Sequence, residues 1–136
     1  MASRQDLEQV LRESYAARQR NDIDGIMKHF TSDARFAIAG SAQASPVAMR
    51  VGGAPAVRAS LEHLIKAFLM PECRIISILI DGDRAAVHWR PKVQSATTGE
   101  TVETEICDLI EFRDGKIASF LEFCDTAAAA RLAGPG

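Results

Sequence analysis

The sequence predicts an α+β fold, with helices packed on one face of a curved antiparallel sheet. Apolar residues recur at helical spacing early in the chain, at Leu7, Leu11 and Tyr15 and again at Val57, Leu61, Leu64, Ile65 and Phe68. From Cys73 onward almost every segment reads as strand, interrupted by short turns rich in Asp and Gly. No repeat or linker divides the 136 residues, so one domain is expected.

The first helix is expected over residues 3–20, its stripe widened by Val10 and Ala17, with Arg12, Glu13, Arg18 and Arg20 on a solvated face. Asp22 suits the cap of a short helix ending at His29 or Phe30. Thr31-Ser32-Asp33 reads as a turn, residues 35–39 as a strand, and 47–51 as a small strand in an irregular stretch. Pro55 fits the first turn of the next helix, and Pro71 is expected to end it. Strands follow over 73–80, 84–94, 101–112 and 117–124, and their three short connections imply an antiparallel meander. Asp125 is placed to cap a last helix over 126–132, before a frayed Gly-Pro-Gly end. A helix laid across a strongly curved sheet leaves a cone whose open end suits a ligand.

With 47% hydrophobic and 25% charged residues, the composition is that of an ordinary globular protein. A net charge of −2 offers no basic footprint, so a nucleic-acid partner is not expected. The polar N-terminus leads into no apolar signal core and no apolar run matches a membrane span, which makes a cytoplasmic location the expectation. Cys73, Cys107 and Cys124 are odd in number and widely spaced, which argues against a disulfide framework; two lie in apolar strand-like runs and read as buried thiols. His29, His63 and His88 are scattered, and no metal-ligand spacing, phosphate loop or nucleophile elbow is present. Neither a metal nor a cofactor is expected.

One acid stands out. Asp108 alternates with Ile106, Ile110 and Phe112, so it shares an apolar strand face with them. Such an acid must be hydrogen-bonded, kept neutral, or open to a cavity. Tyr15 lies on the inward stripe of the first helix. Glu122 alternates with Phe120 and Cys124, but the opposite face, Ile117, Ser119, Leu121 and Phe123, is equally apolar. Periodicity therefore leaves open whether Glu122 faces a cavity or is an edge or interface carboxylate paired with an arginine. His88 shares a polar face with Arg90 and Lys92 and is expected outside, Trp89 inside, and His63 toward solvent.

The order of motifs resembles the nuclear transport factor 2-like superfamily, in its ketosteroid isomerase and SnoaL-like polyketide cyclase branch. The segments that carry the resemblance are Tyr15-Ala16-Ala17, Asn21 to Ile26, Phe30-Thr31-Ser32-Asp33-Ala34, Asp108 to Ile117 and Phe123 to Ala127. The resemblance implies a cone-shaped α+β barrel that binds a small apolar carbonyl-bearing molecule, with Phe36, Ile38, Trp89 and Phe120 in its wall, and a homodimer. It matches Tyr15 and Asp108 to the isomerase's two donors to an enolate oxygen. Ile38 stands where the isomerase has its general base, so Glu122, or failing it His88, would carry the proton. Epoxide hydrolysis, known in another branch, needs an acid–arginine–acid cluster, for which Arg90 and Asp108 are the candidates. The rival expectation is a non-catalytic binding or dimerisation module with Asp108 ionised and bonded.

Overall fold

Ser3 opens the first helix through a reciprocal cap: its hydroxyl accepts from the Asp6 N–H at 3.1 Å, and the Asp6 carboxylate accepts from the Ser3 N–H at 3.0 Å. The computed structural model describes residues 2–134. Its helices are α1 (Arg4–Gln19), α2 (Ile23–Met27), α3 (Ala54–Ala67) and α4 (Thr126–Ala133). Its strands are β1 (Phe30–Ile38), β2 (Met49–Gly52), β3 (Phe68–Asp81), β4 (Arg84–Ser95), β5 (Thr101–Glu103), β6 (Ile106–Arg113) and β7 (Lys116–Phe123). Asp22 and Asp125 cap α2 and α4 as expected, accepting from the Gly25 and Ala128 N–H groups. Of the Gly-Pro-Gly end expected to fray, Pro135 and Gly136 lie outside the described residues.

The sheet runs β2-β1-β7-β6-β4-β3, with β5 added to β4, and the helices cover its concave face. The α+β class stands, but the sheet is mixed and unclosed rather than a wholly antiparallel barrel, because β1 pairs parallel to β7. That pairing joins strands from opposite ends of the chain, and turn chemistry carries no signal of it. Other boundaries shift for local reasons. The helix expected to stop at Pro71 ends at Ala67; Pro71 sits in β3, an edge strand, where the register slips and a missing N–H is tolerated. The strand expected over 101–112 divides into β5 and β6 opposite Pro91, which offers no donor. Thr31-Ser32-Asp33 belongs to β1, at an irregularity between Phe30 and Arg35, with the Thr31 hydroxyl on Asp33.

A bulge decides which face of β7 is inside. Phe112 pairs with Ile117 while Glu111 pairs with Ser119, so one extra residue enters β7 and the alternation reverses. Ile117 and Phe120 therefore both point inward, and Ser119, Leu121 and Phe123 outward; the single face drawn for Ile117, Ser119, Leu121 and Phe123 does not exist. On the outer face Leu79, Ala86, Leu109 and Leu121 stand opposite one another across β3, β4, β6 and β7, with Leu79 66% and Leu109 45% exposed. Cys107 joins this exposed face rather than being buried. His63 and His88 lie outside as expected, and Trp89 is core.

The α1–α2 corner is tight. A Cβ on Gly25 would run into the Asp22 carboxylate and stand 3.2 Å from the Ala17 Cβ. Gly25→Ala should destabilise the protein by about 1–3 kcal/mol in denaturant unfolding, through loss of the cap and overpacking; an unchanged midpoint would contradict this account.

Candidate functional site

The helices and the inner face of the sheet enclose a cavity of about 130 Å³ with a mostly apolar wall. It is close in size to a ~150 Å³ cavity that accepts benzene, so it admits one ring-sized group without rearrangement. Phe36, Ile38, Trp89 and Phe120 all line it, together with Tyr15 and Glu122. Phe120 is the hub of an aromatic cluster, tilted against Tyr15, Phe30 and Phe36 at centroid separations of 5.7–6.5 Å.

Sheet register sets two acids face to face. Across five strands one inward row reads Ile78, Val87, Asp108, Glu122 and Ile38, in which Asp108 and Glu122 are direct partners. Glu122 is also the neighbour of Ile38, so a carboxyl group stands one strand away from that apolar position. The parallel β1 makes β7 central, and Glu122 is a half-buried cavity residue rather than an edge or interface acid.

Asp108 is completely buried. Its Oδ2 accepts the Tyr15 hydroxyl at 2.5 Å and the Trp89 indole N–H at 2.8 Å, while Oδ1 has no partner among the described residues. Tyr15 and Trp89 also meet edge to face, with ring centroids 4.9 Å apart. Burial, and then the Glu122 charge, push Asp108 well above the usual carboxylate range, and the bonds from Tyr15 and Trp89 only partly oppose this. Burial raises Glu122 from 4.5 to about 7, with the Arg18 charge pulling the other way. Burial, followed by the Asp108 charge, also keeps Tyr15 a phenol far above its ordinary range.

Sequence reasoning missed Arg18. Expected on the solvated face of α1, it lines the cavity and buries Nη1. The available signal was its position three residues after Tyr15 and seven after Leu11, on the same stripe. Arg90 is not brought to Asp108: it lies outside, 3.8 Å from Glu105, whose carboxylate also meets His88 at 2.9 Å. Among the described residues no group of three or more His, Cys, Asp or Glu gathers to hold a metal ion.

The SnoaL-like domain family matches residues 11–120, most of the chain and all of the site up to Phe120. The chain belongs to that family. Three solved structures share the fold over more of the chain. An NTF2-like protein of unknown function from Burkholderia pseudomallei shares 23% identity over 99% of this chain and 100% of its own, with a TM-score of 0.80. A candidate isomerase from Bacillus subtilis shares 17% over 96% of each chain, with a TM-score of 0.83. An LEH-like epoxide hydrolase from M. tuberculosis shares 16%, over 93% of this chain and 90% of its own, with a TM-score of 0.74. At these identities the likeness shows the fold alone. No curated protein matches the chain.

In this SnoaL-like domain the raised Glu122 pKa makes stability depend on pH. Between 4.5 and about 7 the folded chain keeps a proton that the unfolded chain releases, so this contribution falls as pH rises through that window. Glu122→Gln, a mimic of the protonated acid, should match wild type near pH 4 and exceed it at pH 8 by roughly 3 kcal/mol. Thermal unfolding at the two pH values checks this, and parallel curves would refute it. Asp108→Asn keeps an acceptor for both donors and should fold; Asp108→Ala orphans them and should cost about 2–5 kcal/mol in denaturant titration.

Proposed function

We propose that this SnoaL-like domain binds a small apolar carbonyl compound in its cavity and transfers a proton alpha to the carbonyl without a cofactor, as an isomerase or cyclase would. The observation that carries this reading is Glu122 and Tyr15 in the wall of a mostly apolar cavity, each backed by Asp108, the strand partner of one and the hydrogen-bond partner of the other. Glu122 is the base. With a pKa of about 7, it exists in both protonation states near neutrality, which suits a group that must take up a proton and return it.

Tyr15 and Asp108 polarise the oxygen in series. A neutral Asp108 donates its proton to the Tyr15 oxygen, and the tyrosine O–H then turns into the cavity toward the substrate carbonyl. Asp108 thus acts through Tyr15, because it does not itself line the cavity. The 2.5 Å contact between them serves either direction of donation. His88 lies on the outer face and takes no part.

The second reading, a non-catalytic ligand-binding or dimerisation module, is favoured by the complete burial of Asp108 and by the engagement of the Tyr15 hydroxyl. Hydrogen–deuterium exchange at the α-carbon of cyclohexanone, followed by proton NMR in D2O, separates the two. Catalysis predicts exchange that rises as pH passes about 7 and Glu122 ionises, and that falls on the order of 10²–10⁴-fold in Glu122→Gln. Exchange no faster than with heat-denatured protein would leave the binding module.

The outer row of Leu79, Ala86, Leu109 and Leu121 supports a homodimer through this face. Leu109→Arg should then halve the mass in sedimentation equilibrium; a wild-type monomer would dispose of the idea. No described helix is long and apolar enough to cross a membrane, and a cytoplasmic location is part of this proposal.

A further inference from the structure

Arg18 brings a fixed positive charge into an apolar cavity. Its Nη2 donates to the Phe68 carbonyl oxygen at 2.7 Å, where α3 gives way to β3, and this clamps the guanidinium in place. Nη1 is buried, and it has no hydrogen-bond partner among the described residues. A buried donor on a charged group is costly to leave unpaired, and a guanidinium does not lose its proton to relieve that cost. Burial lowers the Arg18 pKa while the Glu122 charge holds it up, and the group stays cationic near neutrality. Glu122 comes close enough to feel that charge but does not bond to Nη1. The structure therefore offers an immobilised cation with an unused donor at the wall of a cavity that fits one ring.

We propose that Nη1 of Arg18 anchors an anionic oxygen of the ligand, so that the ligand is a ring-sized apolar acid bearing a carboxylate or an ionised enol. This rests on the reading of the cavity as a ligand site and adds the chemical class to it. The clamp to Phe68 engages one N–H of Nη2, and the unpartnered Nη1 supplies the charge-assisted hydrogen bond to the ligand. Arg18 follows Tyr15 by three residues on one helical face, a rise of about 4.5 Å. A ligand held by Arg18 through its acid thus carries its carbonyl a few bonds away, beside Tyr15 and Glu122. Asp108 and Glu122 do not repel such an anion while they are protonated, the state that burial favours for both, and the third acid of the lining, Asp125, is engaged by the Ala128 N–H at the start of α4.

The test compares benzoate with benzamide, probes of nearly equal shape that differ in charge, by NMR titration of the full chain at pH 6. Wild type should bind benzoate about 10- to 100-fold more tightly, the range of one charge-assisted hydrogen bond. Arg18→Met should erase the preference while leaving benzamide affinity in place, and Arg18→Lys should keep part of it. Should Arg18→Met not fold once the Phe68 carbonyl loses its donor, the Arg18 side-chain resonances of wild type decide. They should shift with benzoate and not with benzamide. Equal binding of the two probes by wild type, a preference that survives Arg18→Met, or unshifted Arg18 resonances would overturn the anchor and leave the cavity reading intact. Binding of neither probe would overturn both.

Discussion

The site depends on a buried carboxyl group that accepts two aromatic donors. Asp108 lies between the helical layer and the sheet, and its single oxygen Oδ2 ties Tyr15 on α1 to Trp89 on β4. The three residues are far apart in the chain, so their meeting fixes how α1 sits on the sheet. A carboxyl in that position is costly to ionise, and the two bonds offset only part of the cost. The inner wall accordingly holds a polar group that packing and hydrogen bonding must jointly stabilise.

That constraint passes to its strand partner. Glu122 stands opposite Asp108 in the β6–β7 register, so a charge on one carboxyl makes a charge on the other harder to sustain. Burial raises both carboxyls, but Glu122, at about 7, lines the cavity while Asp108 does not. The proposed division of labour, Glu122 moving the proton while Asp108 acts through the tyrosine hydroxyl, follows from this asymmetry. In that proposal the carboxyl group one strand over from Ile38 serves as the base.

The cavity fits the same arrangement. Its aromatic and aliphatic wall keeps the local dielectric low, which strengthens every charge interaction within it. Arg18 at the wall and the Glu122–Asp108 pair then form a short polar edge along an apolar space. The proposed ligand has the complementary pattern, apolar over most of its surface with oxygen at one side.

Much of this was legible in the sequence. The segregation of helical and strand periodicities determined the α+β class, and side-chain chemistry determined the Asp22 and Asp125 caps, because each depends on residues within a few positions of one another. Alternation in β6 alone placed Asp108 inward, and alternation in β4 placed Trp89 inside and His88 outside. Tertiary structure decided the rest. The bulge after Ile117 exchanges the faces of β7, and a strict two-residue period cannot show where an extra residue enters. The parallel β1–β7 pairing made Glu122 a central residue through a contact between distant segments. Arg18 shared the apolar stripe of α1, but its charge argued for solvent until the Phe68 carbonyl and the cavity gave the long side chain a place inside. Local patterning determines which elements form and which way a regular strand faces; only packing decides which distant groups meet, and the chemistry of this site lies in those meetings.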